Sequence, residues 1–329
     1  MELLTSPDIA AEYIASQSLT DVLGPNVVAS EQSGGFANFV YRIQTDNQTY
    51  YLKQRPPYVR SRPELPRTQE DVTHEIQAYQ TLESILPEDA IPRLIHIDPD
   101  QYLFIATSVQ PHGKTLNDKL LDQEYSDTEA SLIGRLVADL HGRTLGSNFV
   151  IRGNEQETAF YNRQYQWLVR EIPYQDETSR DNATQAVDRL ADAPKSLIWG
   201  DLSPKNILIG NKSVSFVDLE TIHKGDPAFD LGYLTGHILL EGLKSGELDK
   251  ALGFTHKLRE QYSDRLSRYA DDAFVSQTAR DAILFAGTSM IHRTLASLVP
   301  EASGQRSDVT DSILRFATTL INQEVIWSN

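Results

Sequence analysis

Asp201 and Asn206 are the two residues whose types and spacing most clearly suggest chemistry, in the segment WGDLSPKNILI that starts at Trp199. The carboxylate precedes the carboxamide by five residues, and an apolar run follows directly. Phosphoryl transfer to an alcohol needs a group that orients the hydroxyl and accepts its proton, and oxygen ligands for magnesium. Asp201 suits the first task and Asn206 the second. Taken alone, the segment is also compatible with a capped turn, because Asp, Ser, Pro and Asn favour turns.

A second pair of acids, Asp218 and Glu220, follows in the segment VSFVDLE, which reads as an apolar strand ending in two carboxylates. If the strand continues, the alternation of side chains places both acids on one face. Hard oxygen donors of this kind, together with Asn206, suit magnesium. A solvated strand end is the structural alternative.

Lys53 lies in the segment QTYYLKQR, which has the apolar neighbours expected of a strand. A lysine there can hold the α- and β-phosphates of a nucleotide, and it needs a carboxylate to fix it. Glu75 is the candidate partner because it falls inside the apolar stripe of a predicted helix, where a carboxylate needs a paired cation. Glu70, at the start of that helix, is the weaker candidate, and a solvent-facing Glu75 is the alternative.

Gly34 and Gly35, in the segment SGGFANFVYR, stand between two predicted strands ahead of Lys53. A glycine pair lets backbone N–H groups approach phosphates, although a hairpin with a Gly-Gly turn explains the pattern equally well. Asn38 in the same segment, and Ser108 and Val109 where the strand-rich part ends, complete the expected nucleotide-binding set.

These residues require strands in the first third of the chain and helices after it. The segments that we predict are strands within 27–54, a proline-rich loop over 56–66, a helix opened by a capping box at 68–71, strands ending near 109, a helix capped at 126–129, helices within 155–192, and helices beyond 227. Strands followed by helices favour an α+β chain of two lobes, which we place at 1–107 and 108–329. Inter-lobe hinges are common places for nucleotide pockets.

The composition excludes several classes of protein. The chain of 329 residues has no cysteine, so disulfides, thiolate metal sites and a cysteine nucleophile are ruled out. A net charge of −16 argues against a nucleic-acid binder. No apolar run of membrane-spanning length and no signal peptide is visible, so we expect no membrane association and a cytoplasmic protein. Zinc-enzyme and serine-hydrolase motifs are missing as well.

In this order, the elements resemble the aminoglycoside phosphotransferase and protein-kinase-like superfamily across roughly residues 30–240. The resemblance implies a bilobal protein-kinase-like fold with a β-rich N-lobe and a helical C-lobe. It also implies that Asp230, in PAFDLGYL, supports the catalytic loop. The first lobe is most similar to that of methylthioribose kinases, through GGFANFVYRI and YLKQRPPYVRSRPELP. Arg293, in MIHRT, resembles the arginine of that family that contacts the sugar, although a surface arginine is equally compatible with the sequence.

The sequence also departs from these relatives. Trp199 stands where the catalytic loop of methylthioribose kinases normally begins with His, and Asn206 stands where they tend to carry a small residue. The resemblance implies a kinase that uses ATP and Mg²⁺ and phosphorylates a hydroxyl of a small metabolite, with a pentose or thiopentose such as methylthioribose as the best candidate. Alternatives are an amino-alcohol or aminoglycoside kinase, which an acidic protein would suit, and a non-catalytic nucleotide-binding pseudokinase. A homodimer is compatible with the sequence.

Overall fold

The computed structural model describes residues 2–32, 37–46, 48–110, 113–149, 151, 172, 174, 176–192, 195–297 and 308–323. The chain divides into two compact units. The first unit comprises Met1–His112 and Ser215–Glu220, and the second comprises Gly113–Val214 and Thr221–Asn329.

The first unit is built around an antiparallel five-stranded sheet with the strand order β1-β2-β3-β7-β6. Its elements in chain order are α1 (Pro7–Ser16), α2 (Thr20–Leu23), β1 (Val28–Glu31), β2 (Phe39–Gln44), β3 (Thr49–Gln54), β4 (Tyr58–Val59), β5 (Arg62–Pro66), α3 (Asp71–Glu83), β6 (Leu94–Asp98) and β7 (Leu103–Thr107).

Lys53 lies on the central strand β3, opposite Val40 of β2 and Phe104 of β7. Its neighbour Leu52 points to the other face of the sheet, where it joins the apolar core packed around α1. The aromatic ring of Phe104 contacts that of Tyr79 on α3, with ring centres 5.6 Å apart. Strand alternation therefore turns Lys53 towards the face that α3 covers.

Two predictions for the segment between β3 and α3 were wrong. The proline-rich loop contains the hairpin β4–β5, where both strands are edges and prolines need not donate to a ladder. The helix begins at Asp71 after Glu70, which makes no side-chain cap, so the predicted capping box at 68–71 does not form. The Thr68 carbonyl instead accepts a 2.9 Å hydrogen bond from Arg55 Nε, which holds the chain ahead of the helix.

The second unit is mainly helical. Its described elements are β8 (Lys114–Thr115), α4 (Leu116–Leu121), α5 (Asp127–Thr144), α6 (Glu177–Asp192), β9 (Ser196–Ile198), a 3₁₀ turn (Pro204–Asn206), β10 (Ile207–Ile209), β11 (Val214–Phe216), which runs into the first unit, β12 (His223–Gly225), α7 (Pro227–Ser245), α8 (Leu248–Leu266), α9 (Asp272–Ser297) and α10 (Asp308–Ile321).

Two helices of this unit, α7 and α9, approach each other closely. A Cβ on Gly232 or Gly236 of α7 would lie 2.5 Å from the carbonyl oxygen of Ala282 or 2.7 Å from that of Ala286, respectively. Glycine at both positions removes this clash. The helices predicted beyond residue 227 are confirmed for the residues that the structure describes, and α6 accounts for the described end of the predicted 155–192 segment.

Candidate functional site

Lys53 forms the centre of a charged cluster in the first unit. Its Nζ atom lies 2.8 Å from Glu75 Oε1, 2.8 Å from Asp218 Oδ1 and 3.7 Å from Glu220 Oε2. The side chain of Glu75 is only 1% exposed, so the predicted inward-facing carboxylate with a paired cation is confirmed. An ammonium has three N–H donors, and two short contacts leave one for a ligand.

The cluster keeps Lys53 protonated. Burial alone would lower the pKa of Lys53, but Asp218, Glu75 and Glu220 outweigh it and raise that pKa well above its ordinary value. Burial raises the pKa of Glu75 to about 7, against the opposing effect of Lys53. Glu75 Oε2 is buried without a hydrogen-bond partner among the described residues, which fits the high cost of a charge at this carboxylate.

Asp218 and Glu220 reach Lys53 by a route that strand alternation does not predict. Strand β11 ends at Phe216, and Asp218 adopts a left-handed backbone conformation with φ of 64°. The strand therefore does not continue, which was the condition of the alternation argument, yet both acids lie beside Lys53. The backbone hydrogen bond from Phe216 N to Ala90 O, at 2.8 Å, ties this segment to the first unit.

Glu220 lies among cations. Its Oε2 atom is 3.5 Å from Arg67 Nη2 and 3.6 Å from Arg55 Nη1, and it accepts a 3.0 Å hydrogen bond from Asn38 Nδ2. Although burial alone would raise it, Lys53, Arg67 and Arg55 lower the pKa of Glu220 to about 2. This carboxylate stays ionised, and its contacts join Asn38, the residue just before β2, to the segment that follows β11.

Arg55 and Arg67 were missed by the sequence reasoning. Their signal was present in the arginine-rich segment on either side of the β4–β5 hairpin, which contains more cations than a solvated loop requires. Asn38, predicted as a nucleotide contact, has its amide engaged by Glu220 and, through Oδ1, by Arg67 Nη1 at 3.2 Å.

Of the remaining predicted nucleotide-binding residues, the structure describes Ser108 and Val109. Ser108 follows β7 and donates its backbone N–H to the Thr49 carbonyl at 3.0 Å, while Val109 is buried. Strand β7 ends at Thr107, two residues before the predicted end. Gly34 and Gly35 lie outside the described residues.

In the second unit, Asp201 and Asn206 occupy one compact turn, as their spacing indicates. Asn206 Nδ2 donates to the Asp201 carbonyl at 2.9 Å and lies 3.3 Å from Asp201 Oδ2. The Ser203 backbone N–H also donates to the Asp201 carbonyl, at 2.8 Å. Lys205 Nζ is 3.2 Å from Asp201 Oδ2. Because Nδ2 of Asn206 is used inside the turn, its Oδ1 is the atom left for a metal ion.

The base of this turn is held by Asp230, as the family resemblance implies. Asp230 Oδ2 accepts the backbone N–H of Trp199 at 2.5 Å, and Oδ1 accepts that of Gly200 at 2.9 Å. Gly200 has φ of 79°, and a Cβ there would lie 2.6 Å from the Thr221 carbonyl oxygen. Glycine is therefore required at this position for two reasons.

Behind Asp230 lies a buried histidine that the sequence reasoning missed. His141 Nε2 is 3.2 Å from Asp230 Oδ2, and His141 Nδ1 is 2.9 Å from the Tyr262 hydroxyl. Burial, with help from nearby acids, raises the pKa of Tyr262 well above its ordinary value, so the hydroxyl keeps its proton. His141 lies within the apolar stripe of α5, beside Val137 and Leu140, and the stripe argument used for Glu75 would have found it.

Trp199 is fully buried, and its carbonyl accepts a 2.8 Å hydrogen bond from Thr221 Oγ1. Its backbone therefore serves the loop while its indole fills the core.

One face of α7 continues from Asp230 past the turn that carries Asp201 to Tyr233 and His237. Burial and a hydrogen bond to the Asp201 carboxylate both raise the pKa of Tyr233, so this hydroxyl donates to Asp201. The Tyr233 and His237 rings meet edge to face, with centres 4.6 Å apart. Tyr233 was also missed by the sequence reasoning, since its contact is with a residue 32 positions earlier.

Arg293 is exposed on α9 and lines a cavity of about 280 Å³. Pro204, in the turn that carries Asp201 and Asn206, lines the same cavity. The helix contact at Gly236 brings α9, which carries Arg293, against α7. The predicted substrate arginine therefore borders the turn that carries Asp201 and Asn206.

The donor chemistry of the predicted magnesium ligands fits the ion. Asp218 is one-third exposed and uses Oδ1 for Lys53, and Asn206 retains Oδ1. Among the described residues, no group of three or more His, Cys, Asp or Glu side chains forms a metal cluster. Carboxylate and amide oxygens are both ligands that a magnesium ion accepts.

Comparison with known proteins identifies the family. The sequence model of the phosphotransferase enzyme family, APH, matches residues 29–269. The chain belongs to this family. It is a small-molecule kinase, a phosphotransferase with an alcohol group as acceptor.

This phosphotransferase is similar to methylthioribose kinase from Bacillus cereus (strain B4264), with 22% identity over 317 residues that cover 82% of the chain and 79% of that protein. Two solved structures share its protein-kinase-like fold. Choline kinase LicA from Streptococcus pneumoniae has a TM-score of 0.53 and 18% identity over 95% of this chain and 99% of its own. Amicoumacin kinase hAmiN, in complex with AMP-PNP, Ca²⁺ and Ami, has a TM-score of 0.56 and 13% identity over 96% of each chain.

None of the helices in the described part of the phosphotransferase is long and apolar enough to cross a bilayer.

Proposed function

We propose that this phosphotransferase moves the γ-phosphoryl group of ATP to a hydroxyl of a small metabolite, with a pentose or thiopentose such as methylthioribose as the leading acceptor class. The observation that carries the proposal is the catalytic turn, where Asp201 is held by Asn206 and Tyr233 and the turn is anchored on Asp230. A carboxylate fixed in this way is suited to orienting a hydroxyl and accepting its proton.

The charged cluster of the first unit supplies the nucleotide-binding role in this proposal. Lys53 is kept protonated by three carboxylates and has a donor to spare for the α- and β-phosphates. Asn206, Asp218 and Glu220 are the proposed magnesium ligands, with Glu220 the most heavily engaged by protein cations. When bound, magnesium neutralises charge on the transferred phosphates. Asn38, Ser108, Val109, Gly34 and Gly35 keep their proposed nucleotide-binding roles.

The acceptor class is supported by the relatives. Methylthioribose kinases match most of the chain, although at 22% identity. Arg293, the proposed sugar contact, borders the catalytic turn through the cavity that it shares with Pro204. ATP as the donor is supported by hAmiN, a fold relative solved with an ATP analogue.

The site argues against the non-catalytic alternative that the sequence left open. Lys53, Asp201, Asn206 and Asp218 are all present and hydrogen-bonded. An amino-alcohol or aminoglycoside acceptor is the other alternative. The cations Arg293 and Lys244 around the cavity disfavour a positively charged acceptor there. Cytoplasmic residence and a homodimer remain predictions.

The test is an ADP-release assay over pentoses, thiopentoses, amino alcohols and aminoglycosides, with wild type and Asp201→Asn. We expect Asp201→Asn to lose about 10²- to 10⁴-fold in kcat while it retains nucleotide binding, because general-base contributions have this size. The control is Asp249→Asn, which makes the same change at an exposed position of α8. Turnover by Asp201→Asn at the wild-type rate would refute the proposed role, and no magnesium-dependent ADP release with any acceptor would favour the non-catalytic alternative.

A further inference from the structure

The cavity beside the catalytic turn lies entirely within the second unit. Its volume is about 280 Å³, enough for a small metabolite or part of one. Pro204 of the 3₁₀ turn forms one side, and residues of α4, α7 and α9 form the others. Asp201 is three residues before Pro204 in the chain. A group bound in the cavity would therefore lie next to the turn that carries Asp201.

The charges around this cavity are opposite to those of the whole protein. Arg293 and Lys244 contribute two positive charges and Glu241 one negative charge, in a chain whose net charge is −16. Lys244 Nζ lies 4.0 Å from Glu241 Oε2, at the limit of an ion pair. Arg293 has no ion-pair partner within the part of the chain that the structure describes. Its exposed guanidinium is therefore available to pair with a bound anion.

His237 adds an unused hydrogen-bonding atom to the same cavity. Its Nε2 atom is buried and has no hydrogen-bond partner among the described residues. An unpaired buried polar atom destabilises the protein, so a bound ligand that pairs with it gains stabilisation. The edge-to-face contact with Tyr233 restrains the His237 ring.

The imidazole of His237 is neutral at ordinary pH. Burial, together with the nearby Arg293, Lys205 and Lys244, lowers its pKa to about 3. A neutral ring with a proton on Nε2 is a hydrogen-bond donor that adds no competing charge.

We propose that this cavity binds an anionic group of the acceptor, a carboxylate or a phosphate, through Arg293, Lys244 and the Nε2–H of His237. The inference rests on the proposed function and, among hydroxylated metabolites, favours a pentose derivative that carries an acid group over a neutral pentose such as methylthioribose. Planar guanidinium groups pair well with carboxylate and phosphate oxygens.

The same geometry connects binding with catalysis. Tyr233 donates to Asp201, and His237 follows one helical turn later on the same face of α7. Anchoring the acid group at His237 leaves a hydroxyl of the same molecule to approach Asp201. In the transfer, the hydroxyl oxygen forms a bond to the γ-phosphorus, the bond from that phosphorus to the ADP oxygen breaks, and the hydroxyl proton passes to Asp201.

The test is isothermal titration calorimetry on the full chain without nucleotide, which does not depend on turnover. The ligands are D-ribonate, D-ribose 5-phosphate, D-ribose and choline, and the two anionic ligands distinguish a carboxylate from a phosphate site. The variants are Arg293→Gln and Lys244→Gln, which both alter exposed side chains and should fold. Arg280→Gln is the matched control. It removes the same charge from an exposed position of α9 that lies several helical turns away from Arg293.

We expect saturable binding of at least one anionic ligand to wild type, weakened about tenfold or more in Arg293→Gln and Lys244→Gln and unchanged in Arg280→Gln. Three results would overturn the inference: no binding of either anion, tighter binding of D-ribose or choline, or anion binding that neither cavity variant weakens. ADP release with a neutral pentose that is lost in Asp201→Asn would show that the proposed function stands even if this inference fails.

Discussion

The ammonium of Lys53 lies 2.8 Å from Glu75 Oε1, whereas the other oxygen of that carboxylate is buried without a hydrogen-bond partner among the described residues. One carboxylate oxygen thus restrains the lysine, and burial of the other oxygen without a partner destabilises the fold. A residue with this arrangement contributes to the position of Lys53 more than to stability.

Glu75→Gln should separate these two effects. We expect the KM for ATP to rise about tenfold, because an amide restrains the ammonium less strongly than a charged acceptor does. We expect the free energy of unfolding to change little, since the variant removes a buried charge as well as an ion pair. Steady-state kinetics and urea denaturation measure the two quantities. Glu83→Gln, at the exposed end of α3, is the control, and an unchanged KM for ATP in Glu75→Gln would contradict the role assigned to the pair.

Asp230→Asn should weaken the catalytic turn. One of the two carboxylate oxygens that accept from Trp199 and Gly200 becomes an N–H donor, so a buried donor faces another donor. A loss of about 1–3 kcal/mol in the free energy of unfolding is expected for such a mismatch, together with a lower kcat. Chemical denaturation and kinetics check both. Normal stability with normal kcat would show that the turn does not depend on this anchor.

Tyr233→Phe should lower kcat and leave the KM for ATP unchanged. The variant removes a hydrogen bond to the Asp201 carboxylate, and hydrogen bonds to charged groups contribute about 1.5–3 kcal/mol, or roughly ten- to a hundredfold in rate. Tyr269→Phe is the matched control, because Tyr269 donates to a different carboxylate, Asp139, at 2.7 Å. An equal loss of kcat in both variants would indicate a general effect of losing a buried hydroxyl.

His237 should make the protein less stable as the pH falls. Its pKa is lowered from 6.5 to about 3, so between these values the unfolded chain binds a proton that the folded chain excludes. Stability therefore decreases as the pH drops below about 6.5, and His237→Gln should remove this part of the decrease. Urea denaturation of wild type and variant from pH 7 to pH 4 measures the difference. His256→Gln, at an exposed position of α8, should follow wild type, and parallel curves for His237→Gln and wild type would contradict the assignment.

Trp199→His restores the residue that the related catalytic loops normally carry, but it should destabilise this protein. The indole is fully buried, and replacing it leaves a cavity and a polar ring without a described partner. Truncating a buried Trp to Ala typically costs about 3–5 kcal/mol, and we expect a loss towards the lower end of that range because imidazole refills part of the space. The midpoint of chemical denaturation measures it. An unchanged midpoint would show that the core at this position is easily repacked.

The parts of the site that the sequence predicted are those set by local spacing. A strand pattern and an apolar helical stripe predicted the Lys53–Glu75 pair. The five-residue spacing between Asp201 and Asn206 predicted their turn. Strand alternation did not predict the left-handed conformation of Asp218, because a single residue with positive φ changes the direction of the chain.

The parts that were not predicted are contacts between distant positions. His141 lies 89 residues before Asp230, and Asn38 lies 182 residues before Glu220. Which polar side chains meet in a buried network is decided by tertiary packing, and hydrophobic periodicity says only that a position faces inwards. Periodicity could have marked His141 as buried, but it could not have named Asp230 as its partner.

The two halves of helix α7 carry residues with different roles along one face. Asp230 and Tyr233 in its first half serve the catalytic turn, while His237, Glu241 and Lys244 in its second half line the cavity. Changes in the second half can therefore alter which acceptor is recognised without touching the groups that hold Asp201. Related proteins that share this helix can therefore acquire new substrates through substitutions in its last turns, while their phosphoryl-transfer chemistry stays the same.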